Sequence, residues 1–297
     1  LASEMLIHVM RLLPVTCKFN PHVMLQIGGT FVGLAGRLTN TPAWAFTDTE
    51  NAALSNAITF PLINKIFTPE SYGHDHGRKH SRYPGFHELA YLHPKRFQPD
   101  PSVLETFGLK RSDPFFIVRF VGWQSAHDIC QRGFNLRDKI QLIRTLAKYG
   151  KVFVTSESRI SDPIRQYASP IPVEQIHHFM AFAKLIVGES ATMASEGAVL
   201  GTPAIFVSPT GRGYTDVQEK TYGLVFNFKD TDRDATLDKV KALIERPRPR
   251  EHWQKKRQRL LKDTIDVTGW LERLVEYFGE TCDADESARQ ALAGFRG

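Results

Sequence analysis

The stretch GESATMASEGAVLGTPAIFV, Gly188 to Val207, decides how this chain is read. It predicts strand, turn, helix, turn and strand within twenty residues. LIVG at its head is a short aliphatic run, and PAIFVS at its end is another; both suit fully buried strands. ATMASEGAVLG between them reads as a helix of small and apolar residues, with Ser190 and Thr192 where it begins. A helix start offers unpaired N–H groups and a dipole that attract an anion, and the two hydroxyls can cap the helix or donate to such a ligand. Glu196 is the one carboxylate in an otherwise small and apolar helix. One turn beyond the helix start it suits a ribose diol, as the acidic residue of dinucleotide sites does. A plain N-cap for Ser190 and a solvated helix glutamate for Glu196 are the ordinary alternatives.

The same alternation extends in both directions. VMLQIG ending in Gly-Gly-Thr, PAWAF and KIFTP are short apolar strands separated by helical segments; FFIVRFV, KVFVTSE, LIVGES, PAIFVS and LVFNF form a second series. Continuous apolar strands between helices mean parallel sheets covered on both faces. Between the series, SYGHDHGRKHSRYPGFHELAYLHPKRFQPDPSVLETFGL shows no period and is rich in Gly, Pro and His, as a connection between domains is. The expected fold class is therefore α/β, two Rossmann-like parallel-sheet domains facing a cleft. Their expected spans are 1–97 and 98–279, with 280–297 a flexible tail. Ligands of open parallel sheets bind outside the strands' carboxyl ends.

With 297 residues, 42% hydrophobic and 24% charged, the chain has room for two globular domains. No run approaches the roughly 20 apolar residues of a bilayer span, and the first residues have no basic n-region of a secretory signal. Cytoplasmic location is the resulting expectation. Cys17, Cys130 and Cys282 are too scattered for a disulfide framework or a zinc site. The segment Glu245 to Lys262 holds eight Lys/Arg against two Glu, equal to the whole net charge of +6. It is read as a solvated helix face or, at 246–262, a peripheral contact with an anionic membrane. Trp253 is its only aromatic, so no nucleic-acid platform is expected. HDHGRKH, His74 to His80, fits no established zinc spacing, and the adjacent His177 and His178 cannot share a metal on one helix face. No metal is expected.

Taken together, QIGGTFVGLAGRLTNTPAWAFTDTENAALSN, GFHELAYLHPKRFQPDPSVLETFGL, FFIVRFVGWQSAHDI, the opening stretch and YGLVFNFKDT resemble a family of archaeal and bacterial proteins of unknown function described as glycosyltransferase-like. That family shares the GT-B fold with UDP-N-acetylglucosamine 2-epimerases and the glycosyltransferase that forms lipid II. The resemblance covers about residues 20 to 280. It implies a C-terminal half that binds a nucleotide-sugar donor, UDP-linked, and an N-terminal half that presents a glycan or lipid-linked acceptor, with no further cofactor. Gly28 and Gly29 then form a turn on the acceptor side, and Asp48 and Glu50 bind acceptor or act as base; an ordinary cap for the next helix is their alternative.

Arg119, in a buried strand, must face the cleft or meet a carboxylate, since ionised Arg is almost never buried unpaired. The loop after it is expected to bring Gly122, Trp123, Ser125, His127 and Asp128 to the strand's carboxyl edge, with Trp123 to stack a base and His127 to neutralise phosphate or act as acid or base; a His–Asp pair that only holds the loop is the alternative. The resemblance implies Glu196 as the ribose acid, Ser190 and Thr192 as the diphosphate cap, and Arg212 in GRGY as a phosphate contact. Many GT-B proteins carry two glycines where this chain has Glu189-Ser190-Ala191. A carboxylate there repels a diphosphate unless Glu189 turns away or binds a sugar hydroxyl. The first half also lacks its expected opening, roughly 60 residues at ~30 per βαβ unit.

The function implied is a metal-independent glycosyltransferase of surface polysaccharide or envelope glycan synthesis. A nucleotide-sugar 2-epimerase, or a nucleotide-binding protein without catalysis, is the alternative.

Overall fold

Strands form where aliphatic and aromatic runs are bounded by Gly, Pro and polar turns, and the computed structural model shows nine of them among the residues it describes, 2–28, 30–121, 134–157, 159–247 and 249–295, with backbone alone at 2–5 and 249. The strands are β1 (Met24–Ile27), β2 (Ala43–Phe46), β3 (Lys65–Pro69), β4 (His80–Tyr83), β5 (Phe115–Phe120), β6 (Lys151–Ser156), β7 (Leu185–Gly188), β8 (Ala204–Val207) and β9 (Val225–Phe228). The helices are α1 (Ala2–Phe19), α2 (Val32–Thr39), α3 (Ala53–Thr59), α4 (Leu89–Leu92), α5 (Leu136–Ala147), α6 (Ile176–Phe182), α7 (Ala191–Leu200), α8 (Gly213–Val217), α9 (Arg233–Ile244), α10 (Pro249–Asp263), α11 (Val267–Thr281) and α12 (Ala284–Ala293). Two compact units result, Leu1–His87 with Ile265–Gly297, and Glu88–Thr264.

The first unit is a parallel sheet in the order β1-β2-β3-β4. One face packs Met24, Ala43, Ala45 and Ile66 against Val32 and Ala35 of α2. The other face is aromatic: Trp270 lies 5.7 Å from Phe67 and 4.8 Å from Tyr83, and Phe278 lies 4.7 Å from Trp44, between ring centroids. Val267, Trp270, Leu274 and Phe278 are the buried positions of α11, and each large side chain so buried is worth about 1.5–3 kcal/mol. This burial corrects two expectations. The chain crosses between units at 87/88, not 97/98, and it returns to the first unit at Ile265 instead of staying in the second until 279. Residues 284–293 are also helical instead of a loose tail. Asp283 caps α12 by accepting from the Asp285 and Glu286 amides, and Ser287, Ala288 and Ala291 are buried. Strand β4, inside the stretch read as a connection, has a single fully buried residue and so carries little strand signal.

The second unit holds five parallel strands in the order β6-β5-β7-β8-β9. From β5 the chain moves out to β6, then crosses back to β7 on the other side of β5. That reversal is a topological switch point, and it opens a crevice at the carboxyl ends of β5 and β7. Gly188 ends β7 there; a Cβ on it would lie 2.2 Å from the Arg119 backbone oxygen, so only glycine lets the two strands close up.

Candidate functional site

A groove of about 460 Å³ occupies this crevice. Arg119 of β5, Thr155 and Ser156 of β6, and Ser190, Thr192 and Glu196 of α7 supply its polar wall. Val154, Ile160, Ile171 and Ile176 supply much of its apolar wall. Ser190 is the N-cap of α7, its hydroxyl accepting the Met193 amide at 3.3 Å. Among the described residues the Ala191 and Thr192 amides have no acceptor, so the start of a ten-residue helix presents two free N–H groups beside the groove.

Glu196 is mostly buried, with 13% of its side chain exposed. Its Oε1 accepts from the Tyr91 hydroxyl and contacts His177 Nε2, each at 2.9 Å. Oε2 has no hydrogen-bond partner among the described residues. A carboxylate fixed through one oxygen and open through the other is prepared for hydroxyl donors. Tyr91 and His177 were not legible as site residues. Tyr91 sits in the stretch without period, and His177 reads only as half of a pair of adjacent histidines.

Arg119 lines the groove and donates to Glu157 Oε1 at 2.9 Å. Glu189 differs from its expected substrate contact. Its side chain is fully buried and turned inward, Oε2 accepting the Val121 amide at 2.8 Å and Oε1 the Phe134 amide at 2.6 Å. Lys139 Nζ stands 3.9 Å from Oε2 and 4.5 Å from the Phe120 ring centre. Glu189 therefore joins both flanks of segment 122–133, and its side chain offers no exposed oxygen to a ligand. Gly122, Trp123, Ser125, His127, Asp128 and Gly29 lie outside the described residues. Arg212 is not among the described residues that line the groove. Its guanidinium donates to Thr210 Oγ1 and the Gly211 carbonyl, both at 3.0 Å, just ahead of α8.

In the first unit, Gly28 turns after β1 with φ +64°, as a tight turn requires. Asp48 and Glu50 follow β2, but neither caps α3, whose N-cap Ala52 makes no side-chain bond. Asp48 Oδ2 lies 3.3 Å from His87 Nδ1, and its Oδ1 accepts from the Thr49 hydroxyl at 2.8 Å. Burial pushes the Asp48 carboxyl up, but the hydrogen bond and charge of His87, with Thr49 and the backbone, hold it below its ordinary value. A depressed carboxylate adds stability that is present above the unfolded pKa and lost as pH falls through the folded one. Wild type should therefore exceed Asp48→Asn in stability at pH 7 and lose that margin below about pH 3.8, as urea unfolding at pH 7 and pH 3 will show.

Glu50 Oε1 accepts the Gly73 amide at 3.0 Å. Tyr72 nearby is pushed up to about 12, by burial first, then the Glu50 charge. The histidines of HDHGRKH serve the turn before β4: His80 Nε2 meets Thr68 Oγ1 at 2.8 Å, and His76 Nε2 meets the Tyr72 hydroxyl at 3.2 Å. Burial lowers both rings. Among the described residues no three His, Cys, Asp or Glu side chains converge as metal ligands do, and no helix is long and apolar enough to cross a membrane.

Comparison with solved structures places these units in a known fold. The chain is similar to MnaA of S. aureus, solved with UDP, at 12% identity and a TM-score of 0.63 over 94% of this chain and 82% of that one. It is also similar to the UDP-GlcNAc 2-epimerase of Methanocaldococcus jannaschii in complex with UDP-GlcNAc and UDP, at 13% identity and a TM-score of 0.55 over 85% and 78%. The spinosyn rhamnosyltransferase SpnG, complexed with spinosyn aglycone, gives 10% identity and a TM-score of 0.56 over 90% and 76%. Likeness at such identities is one of fold, and the fold is α/β and GT-B-like, with two parallel sheets. A search of curated proteins finds no match. The model of one family, described as "Protein of unknown function (DUF354)", matches residues 32–277, and the chain belongs to that family.

Proposed function

We propose that the second unit binds a nucleotide diphosphate sugar, UDP-linked, and that the protein is a glycosyltransferase. The observation that carries this reading is Glu196, anchored by Tyr91 and His177 through Oε1 with Oε2 open beside the start of α7. Oε2 accepts from the ribose hydroxyls. The Ala191 and Thr192 amides, with the Thr192 hydroxyl and the helix dipole, take the diphosphate, and Arg119 adds positive charge at the same edge. Trp123 and His127 keep their proposed parts, base stacking and phosphate neutralisation. UDP in the MnaA structure and UDP-GlcNAc in the M. jannaschii epimerase structure support the ligand class.

In the transfer, an acceptor hydroxyl forms a bond to the sugar's anomeric carbon, the bond to the diphosphate breaks, and the hydroxyl proton passes to a carboxylate. Asp48 and Glu50 are the carboxylates proposed for that proton, in synthesis of surface polysaccharide or envelope glycan. Asp48, held below its ordinary value against its burial by the hydrogen bond and charge of His87, serves better as a fixed anion than as a base. A nucleotide-sugar 2-epimerase is the second reading, favoured by Tyr91, His177 and Glu196 as acid–base groups gathered in one chain of contacts.

Incubating the protein with UDP-GlcNAc and no acceptor, followed by proton NMR of the sugar, separates the two. A transferase leaves the donor's C2 stereochemistry intact. Appearance of the C2 epimer would replace the transferase by the epimerase.

A further inference from the structure

A second cavity, of about 310 Å³, lies at the opposite edge of the five-stranded sheet, where Arg111 precedes β5, Phe182 precedes β7 and Leu200 precedes β8. Helix α10 closes it. Arg250, Gln254 and Arg257 line it at spacings of four and three, which puts them on one helix face. The guanidinium carbons of Arg111 and Arg250 stand 5.5 and 5.1 Å from the centre of the Phe182 ring. A ring contact of this kind is weak and does not neutralise two cations.

Among the described residues, the side chains of Arg111, Arg250 and Gln254 make no hydrogen bond or ion pair. Arg257 makes one hydrogen bond, from Nε to the Val199 carbonyl at 2.8 Å. No carboxylate lines the cavity. Asp100, between the lining residues Pro99 and Pro101, accepts the Ser102 amide at 2.9 Å as a helix cap. Asp113, in the adjoining groove, accepts the Lys110 amide at 2.8 Å. Burial, then the charge of Arg111, holds Arg250 below its ordinary value, and burial does the same for Arg257. Gathering cations in one cavity without a counter-charge is unfavourable unless an anion completes it.

We propose that this cavity binds a phosphate-bearing ligand, with Arg111, Arg250 and Arg257 taking the anionic oxygens and Gln254 adding a neutral donor. Guanidinium forks match phosphate oxygens in pairs. The volume is at the small end of ligand pockets and suits a phosphate or diphosphate head. A soluble phosphate ester and a lipid headgroup present the same chemistry.

The test titrates the full chain with inorganic phosphate, with pyrophosphate, and with phosphatidylcholine vesicles containing phosphatidylglycerol. At least one probe should bind, at least tenfold more weakly in Arg111→Gln and in Arg250→Gln, and within twofold of wild type in Lys255→Ala, an exposed cation elsewhere on α10. Binding to free phosphates identifies a soluble ligand, and binding to vesicles alone identifies a headgroup; either supports the site. Three results overturn it: no wild-type binding to any probe, binding unchanged in the arginine variants, or a loss in Lys255→Ala equal to theirs. Thermal melts establish that the variants are folded, and the wild-type titration decides even where one is not.

Discussion

Replacing Glu189 by Ala lowers the stability of the second unit by about 3–5 kcal/mol, the range for breaking a buried ion pair by removing one partner. The side chain accepts two backbone amides, Val121 at 2.8 Å and Phe134 at 2.6 Å, and faces Lys139. Hydrogen bonds to a charged group are worth about 1.5–3 kcal/mol each. Alanine leaves both amides without that acceptor and Lys139 without its nearby anion. Glu189→Gln, which keeps one carbonyl oxygen, falls between the two. Urea unfolding followed by circular dichroism checks this. A substrate contact, the role expected from sequence, would give a different pattern: stability within about 1 kcal/mol of wild type, with ligand affinity lost.

The fold was legible wherever apolar runs alternate with helix formers. Phe115–Phe120, Leu185–Gly188 and Ala204–Val207 are buried almost throughout, so their composition alone marks them as central parallel strands. His80–Tyr83 was not, because an edge strand needs little apolar surface. Nor was the return of α11 to the first sheet. Its apolar stripe shows that it covers something, but only the aromatic face of Trp44, Phe67 and Tyr83 shows what.

At the site, Ser190, Thr192 and Glu196 were legible because a helix start and one lone carboxylate are local patterns. The direction of Glu189 was not, since it depends on two amides distant in sequence, Val121 just after β5 and Phe134 just before α5. Tyr91 is more than 100 residues from Glu196 in sequence, and no local spacing announces that pairing.

If Glu196 holds the ribose as proposed, replacing it by Ala removes that acceptor and weakens UDP binding roughly 100-fold. Two hydroxyls donating to a carboxylate at about 1.5–3 kcal/mol each would exceed this loss, part of which water recovers. Alanine is the best helix former, so α7 persists. Tyr91→Phe keeps the carboxylate but removes one of its anchors, and a loss of a few fold is expected.

The direct measurement is a calorimetric titration of UDP into wild type and Glu196→Ala at matched salt. The expected result is saturable binding to wild type and roughly 100-fold weaker binding to the variant. Equal affinity in both proteins, or no binding to wild type, would contradict the assignment of this groove to a nucleotide.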